Sequence, residues 1–121
     1  MREILFEGKR TDNDEWICGN LKHTKTKDFD YYEIITLDNL QSATVKPETI
    51  RQYTGLTDRN GKKIFEGDIM QLCSACYPCL VYWDGKGWAW KQNGKRREID
   101  LTREKMDIIG NIYDNPELFG E

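Results

Sequence analysis

The most informative stretch for the fold is TIRQYTGLTDRNGKKIFEGDIMQL, which runs from Thr49 to Leu72. Its first part, Thr49–Thr54, carries the β-branched and aromatic side chains typical of a strand. Asp58-Arg59-Asn60-Gly61 predicts a tight turn, because Asn-Gly tolerates positive φ at both positions. Gly67 interrupts the next extended run, and a glycine inside a strand pattern indicates a bulge or a sharp bend. The stretch therefore predicts strand, turn, strand, bend and strand.

Outward from this stretch, short apolar runs alternate with turn residues along the rest of the chain. Arg10–Asp14 has the Asp and Asn density of a hairpin turn, and Asp84–Gly87 forms another turn signal between two apolar runs. Trp88 and Trp90 lie two positions apart, so on a strand they share a face. Turn signals at spacings of roughly 8 to 12 residues are typical of an all-β sandwich or barrel. We therefore predict an all-β fold.

The composition limits the classes of protein. The 121-residue chain has 38% hydrophobic and 32% charged residues and a formal net charge of -3. Basic and acidic residues are mixed, so the overall charge neither favours nor excludes nucleic acid. No apolar run has the length of a secretory signal or a membrane span. We therefore expect a cytoplasmic protein with reduced thiols and no membrane partner.

The pair Lys46-Pro47 predicts a boundary between two subdomains. Pro47 has no backbone donor for a ladder and biases Lys46 toward extended geometry. Residues 1–46 are then an N-terminal all-β subdomain and residues 47–121 a C-terminal β subdomain. Two or three strands alone bury too little apolar surface to be stable. We therefore expect a homo-oligomer in which the first 45 residues pair with a second copy.

Three stretches of the chain look familiar: REILFEGKRTDNDEW near the start, PETIRQYTGLTDRNGKKIFEGDIM in the middle and IIGNIYDNPELF near the end. Together they resemble the YopX family of phage and prophage proteins over nearly the whole chain. The most specific part is T-G-L-x-D-x-N-G-x-x-I-x-E-G-D-I, at Thr54–Ile69. The resemblance implies an N-terminal all-β subdomain that serves in self-association, an SH3-like barrel after it, and a phage or bacterial source. It implies no catalytic motif and no established activity.

The cysteines raise the question of a metal site. Cys73, Cys76 and Cys79 lie three residues apart, whereas a structural zinc site needs four ligands. The fourth would have to be Cys18 or His23, possibly from a neighbouring subunit. The cluster also lies between the strand-like runs IMQL and LVYW, where a hairpin loop belongs. We favour a partly exposed loop with incidental thiols, in which serine at all three positions costs little stability. A Cys-x-x-Cys redox pair is less favoured, because no βαβ pattern surrounds it.

Acid–base chemistry has few candidates. The one histidine, His23, lies in the polar run KHTKTKD and has no nucleophile at a recognisable spacing. Glu66 and Asp68 flank Gly67 and on an extended segment point to one side, where they could hold a divalent ion. We favour a structural interpretation, in which Asp68 accepts backbone N–H bonds at a tight turn. No glycine-rich loop fits a phosphate-binding fingerprint.

A basic aromatic stretch at residues 85–97 is the remaining candidate site. It contains basic residues and no acidic one: Lys86, Lys91, Lys95, Arg96 and Arg97. Trp88 and Trp90 are interleaved with them. Small barrels bind single-stranded nucleic acid with cations for the phosphates and aromatic faces for the bases. The alternative is that both tryptophans face the core and that the charged run is a solvated hairpin.

Taken together, these observations favour a self-associating, non-catalytic binding or adaptor protein of a phage or prophage, acting in the cytoplasm of the bacterial host cell without a cofactor. One alternative is a single-stranded nucleic-acid-binding module that uses Lys91, Lys95, Arg96 and Arg97 with Trp88 and Trp90. A second alternative is a metal-dependent nuclease that uses Glu66 and Asp68. Exposure of the two tryptophans separates the first two classes, and a cleft with more than two carboxylates would favour the third.

Overall fold

The structure is a computed structural model that describes residues 4–74, 76–92, 95–98 and 106–119, with only the course of the backbone at 92 and 95–98. These residues form eleven strands and two short 3₁₀ helices. The strands are β1 Phe6–Lys9, β2 Trp16–Lys25, β3 Asp30–Ile35, β4 Ser42–Val45, β5 Arg51–Thr57, β6 Lys63–Phe65, β7 Asp68–Gln71, β8 Cys79–Trp83, β9 Trp88–Gln92, β10 Lys95–Glu98 and β11 Asp107–Asn111. The 3₁₀ helices are Pro47–Thr49 and Pro116–Leu118. The prediction of an all-β fold is confirmed.

The chain divides into two compact units, Met1–Tyr53 and Thr54–Glu121. The division falls within β5. The subdomain bounds predicted from the sequence, 1–46 and 47–121, stay a prediction. In the part of the chain that the structure describes, no helix is both long and apolar enough to span a membrane.

The first unit is built on an antiparallel meander. β1 pairs with β2, β2 with β3 and β3 with β4, and β1 also pairs with the start of β5. An isolated bridge joins Arg10 to Val45, the last residue of β4. The buried side chains of its core cluster are Ile17, Ile34 and Val45. Alternate positions on neighbouring strands supply these residues, as the period of a half-buried strand requires.

Local hydrogen bonds fix the hairpins of the first unit. Between β1 and β2, the Asp14 N–H donates to the Arg10 carbonyl at 3.1 Å, and Asp14 adopts φ 59°. Asp and Asn tolerate this left-handed region better than other residues, so the predicted turn at Arg10–Asp14 is confirmed. Between β3 and β4, Asn39 adopts φ 61° and its N–H donates to the Thr36 carbonyl at 2.9 Å.

The second unit contains a five-stranded antiparallel sheet in the order β10-β9-β8-β7-β11. Its core consists of buried apolar side chains from several strands: Ile64, Met70, Cys79, Val81, Trp90 and Met106. The predicted turn between β8 and β9 is present, because the Asp84 N–H donates to the Gly87 carbonyl at 3.1 Å. The Asp84 carboxylate also accepts the N–H groups of Lys86 and Gly87.

The predicted bend at Gly67 is confirmed. Gly67 adopts φ 86°, a region that favours glycine. Its N–H donates to the Val81 carbonyl at 2.8 Å, and its own carbonyl accepts the Ile112 N–H at 2.8 Å. A Cβ at this position would lie 2.8 Å from Cε2 of Tyr113. Backbone hydrogen bonds at Gly67 therefore link the bend before β7 to β8 and to the residue that follows β11.

Neither sheet closes on itself within the described residues. The first sheet has the order β4-β3-β2-β1-β5-β6, and the second ends at β10 and β11. A barrel requires the first and last strands to pair, which these orders do not contain. The structure therefore supports an all-β fold of two antiparallel sheets, while the SH3-like barrel predicted for residues 47–121 stays a prediction.

Candidate functional site

The tryptophans of the basic aromatic stretch face inward. Trp90 on β9 is 3% exposed and belongs to the core of the second unit, and the half-buried Trp88 packs against the same core. Their indole N–H groups are buried and find no acceptor among the described residues. The two side chains thus share a face, as predicted, and Trp90 has no exposed ring on which a base could stack.

The basic residues of the stretch are placed only in part. The backbone of β10 pairs with β9 so that Arg96 is opposite Lys91 and Arg97 is opposite Trp90. The side chains of Lys95, Arg96 and Arg97 lie outside the described residues. Lys91 is exposed on β9. The structure therefore brings the backbones of the basic residues together on two neighbouring strands.

Two aromatic residues on β8 form the surface that the sequence argument missed. Trp83 is 47% exposed and meets Trp88 edge-to-face, with ring centroids 5.1 Å apart. The Lys91 ammonium lies 4.5 Å from the centroid of the Tyr82 ring, a cation–π distance. The sequence indicates the exposure of this pair only by its position, because Tyr82 and Trp83 end the run CLVYW just before the turn at Asp84.

The structure separates the three clustered cysteines. Cys73 and Cys76 lie in the loop between β7 and β8, with their sulfur atoms 2.6 Å apart. Cys79 is instead the first residue of β8, is 1% exposed and belongs to the core. The expectation of a partly exposed position is therefore wrong for Cys79, whereas the tolerance of serine at the three positions stays a prediction.

No metal cluster is formed in the part of the chain that the structure describes: no group of three or more His, Cys, Asp or Glu side chains is placed to share an ion. Cys76 shares a sulfur hydrogen bond with Cys73, which raises the pKa of the Cys76 thiol above its ordinary value, and desolvation by burial adds to this.

The carboxylates that flank Gly67 have different surroundings. Asp68 is buried on β7, and its carboxylate accepts the Phe65 N–H at 2.8 Å. Glu66 is half-buried. The structural interpretation of Asp68 as an acceptor for backbone N–H groups is thus confirmed, and this bond fixes the bend at Gly67.

His23 belongs to a cross-strand cluster on the surface of the first unit. Its ring stacks on Tyr32, directly opposite on β3, with centroids 4.1 Å apart. Its Nε2 atom lies 2.6 Å from a carboxylate oxygen of Asp30. The contacts stabilise the pairing of β2 with β3 and contain no nucleophile, so they give the histidine a structural role.

The β3–β4 turn carries two exposed leucines of the first unit. Leu40 is 80% exposed and Leu37 is 57% exposed. Ile4 and Phe29 of the same unit are also exposed. Large apolar residues that burial does not require are the feature of an interaction surface. The signal in the sequence is the pair of leucines on the two sides of Asp38-Asn39.

Hydrogen bonds hold the β3–β4 turn in one conformation. The Thr36 hydroxyl donates to the Asp38 carboxylate at 2.6 Å and accepts the Gln41 N–H at 3.1 Å. The Leu40 N–H donates to the same carboxylate at 3.0 Å. These bonds lower the pKa of Asp38 below its ordinary value, the Thr36 hydroxyl having the larger effect. The two leucines are therefore presented on an ordered scaffold.

One edge of this hairpin is partly occupied. The Thr44 carbonyl on β4 accepts the Thr11 N–H at 3.0 Å, and the Lys46 N–H donates to the Lys9 carbonyl at 2.8 Å. Because backbone groups alternate between the two sides of a strand, Ser42 presents its N–H and carbonyl to the same outer side as Thr44. The edge of β4 nearest Leu40 therefore has the geometry to accept a further strand.

Comparisons with known proteins agree with this architecture. The family model described as YopX protein matches residues 2–120. A crystal structure of protein EF1440 from Enterococcus faecalis is similar with a TM-score of 0.59 at 22% identity, covering 99% of this chain and 100% of that chain. This likeness shows the fold alone. No curated protein matches the chain. Because the family model covers essentially the whole sequence, the chain belongs to the YopX family.

Proposed function

We propose that the chain is a non-catalytic, self-associating binding or adaptor module of a phage or prophage. In this proposal it acts in the cytoplasm of the host cell, and its N-terminal unit holds the copies together. The observation that carries the proposal is the β3–β4 turn, where Leu37 and Leu40 are exposed on a hydrogen-bonded scaffold. A second copy of the chain would cover both leucines.

The geometry of β4 supports this assignment. Ser42 lies beside Leu40 in sequence and presents its backbone groups to the outer side of the strand. Pairing between strand edges of two copies would satisfy these groups while the leucines pack together. Burying a leucine side chain contributes about 2 kcal/mol. The two leucines of each copy therefore supply a substantial apolar contribution to association.

The architecture of the second unit forms part of the proposal. We assign residues 47–121 to an SH3-like barrel, the fold of many small binding modules. The consecutive antiparallel strands β7, β8 and β9 and the bend at Gly67 support this assignment. The exposed Trp83 then provides an apolar contact for a protein partner.

Light scattering on the full chain tests the self-association. We expect a mass that is a multiple of 14.3 kDa for the wild type and 14.3 kDa for Leu40→Lys. Leu72→Lys is the matched control, because Leu72 is an exposed leucine in a loop of the second unit. A wild-type monomer at micromolar concentration, or equal dissociation of both variants, would contradict the proposal.

Single-stranded nucleic-acid binding is the second candidate function. The observation that favours it is the neighbourhood of Lys91, Tyr82 and the exposed Trp83 beside the basic strand β10. Affinity for an oligonucleotide should then fall steeply with salt, and Trp83→Ala should weaken it by about 1–3 kcal/mol. Salt-independent binding or an unchanged Trp83→Ala affinity would contradict this alternative. The nuclease alternative stays a prediction, and its Asp68 is engaged with the Phe65 N–H.

A further inference from the structure

The loop between β7 and β8 brings two thiols close together, although the all-β sequence pattern did not favour a redox pair. The sulfur atoms of Cys73 and Cys76 lie 2.6 Å apart. A disulfide bond measures about 2.05 Å, so the atoms are about half an ångström from bonding distance. Both residues are held as thiols.

A backbone hydrogen bond also joins the two cysteines. The Cys76 N–H donates to the Cys73 carbonyl at 3.0 Å. This bond and the short distance between the sulfur atoms place the two side chains where a bridge can form.

Contacts from the neighbouring strand and turn hold both ends of this loop. The Gln71 side chain at the end of β7 donates to the Cys76 carbonyl at 2.7 Å. The Arg59 guanidinium donates to the Leu72 carbonyl at 3.1 Å, which brings a cation to the residue before Cys73.

The cysteines differ in accessibility. Cys73 is exposed and Cys76 is half-buried, whereas Cys79 lies in the core. The exposed Cys73 sulfur is therefore the one that attacks, and the half-buried Cys76 sulfur follows. A reagent from solution therefore reaches the pair at Cys73 first.

We propose that Cys73 and Cys76 form a thiol–disulfide exchange site that is oxidised by low-molecular-weight disulfides, independently of the self-association surface. The Cys73 thiolate attacks one sulfur of the small disulfide, whose S–S bond breaks to release one thiolate. The Cys76 thiolate then attacks the Cys73 sulfur of the mixed disulfide and releases the second thiolate. The two protons of the cysteines end on the two released thiols. The protein loses two electrons, and the small disulfide gains them.

The test is to incubate the full chain with oxidised glutathione, quench with an alkylating reagent under denaturing conditions, and measure masses. We expect an intramolecular bridge between Cys73 and Cys76 with Cys18 and Cys79 alkylated, reversed by dithiothreitol. Fragmentation between Tyr77 and Pro78 separates Cys79 from the pair. The Cys18→Ser variant is the matched control and should form the same bridge.

The Cys76→Ser variant tests the order of the two steps. Without the second thiol, the glutathione adduct on Cys73 should accumulate, whereas the wild type resolves it within the same molecule. A lasting adduct on the wild type, a bridge that includes Cys79 or Cys18, or no oxidation would overturn the proposal. Retention of one zinc per two chains with protection from oxidation would overturn it as well, since the pair would then be a shared metal site.

Discussion

The β3–β4 hairpin of the first unit and the β8–β9 hairpin of the second unit distribute their apolar residues in opposite ways. At the tip of β8–β9, Asp84 and the glycines make a polar turn, while Trp88 and Trp90 face the core. At the tip of β3–β4, Leu37 and Leu40 are among the most exposed large apolar residues described. The first arrangement stabilises the chain that contains it.

The exposed leucines of the second arrangement are not part of the core cluster of their own unit. The β3–β4 turn is held by Thr36 and Asp38, and neither leucine is needed for that purpose. In the proposed self-association, a second copy covers these exposed apolar side chains. The variants below separate these two roles, because a core residue affects stability and a surface residue affects association.

The largest effect is expected for Trp90→Ala. Removing a large aromatic ring from the core should lower the free energy of unfolding by about 3–5 kcal/mol. Trp83→Ala is the control, because this tryptophan is half exposed, and it should have a much smaller effect. Thermal melts of both variants make the measurement, and equal midpoints for the two would contradict the inward placement of Trp90.

Gly67→Val should have the next largest effect. Valine resists the positive φ at this bend, and its Cβ would collide with the ring of Tyr113. We expect a loss of about 3 kcal/mol in the free energy of unfolding. Gly85→Ala is a matched control, since Gly85 also has positive φ, with no atom close to the added carbon. Urea titrations that give the two variants the same midpoint would argue against the collision.

Cys79 and Cys73 differ as the two hairpins do, because Cys79 is buried in a core and Cys73 is exposed. Cys79→Ser places a hydroxyl in the core and should cost about 1–3 kcal/mol. Cys73→Ser, in the exposed loop, should change stability by no more than about 0.5 kcal/mol. Melting temperatures measured in the presence of a reductant keep oxidation out of the comparison. A stable Cys79→Ser variant would show that Cys79 does not pack as described.

The smallest effect concerns the pH dependence of the β3–β4 turn. Its hydrogen bonds hold the pKa of Asp38 below 3.8, so this contribution is present above that value and is lost as the pH falls through the lowered pKa. NMR should show the Leu40 amide and the Asp38 carboxyl titrating together. Asp38→Asn retains a side-chain oxygen acceptor and should keep the turn without this titration. A chemical shift of the Leu40 amide that does not change as Asp38 is protonated would contradict the hydrogen bond.

The sequence was sufficient for the parts of the fold that depend on local chemistry. Alternation predicted the strands, and the glycine in FEGDIM predicted the bend at Gly67. It was insufficient for the cysteines. Cys73, Cys76 and Cys79 lie three residues apart, which does not match the two-residue period of a strand. Their separation depends on the register that pairs Cys79 with Met70 and so begins β8 at that residue. A register between distant residues is set by tertiary packing, which local patterns do not contain.

The candidate sites were predicted less well for a related reason. The sequence drew attention to Trp88 and Trp90 because they alternate with basic residues, but alternation on a strand equally describes a core face. Leu37 and Leu40 drew no attention, because a turn has no period from which exposure could be inferred. Only the packed structure shows which apolar side chains are left uncovered.

Isotope-filtered NMR on an equal mixture of labelled and unlabelled wild-type chains tests whether the β3–β4 turn holds two copies together. We expect intermolecular NOEs to the methyl groups of Leu37 and Leu40, with Trp88 and Trp90 showing only intramolecular ones. Leu40→Lys should abolish the intermolecular set while leaving the intramolecular NOEs of the core intact. Intermolecular NOEs confined to the β8–β9 hairpin, or none from a wild-type chain shown to be an oligomer at the same concentration, would contradict the account.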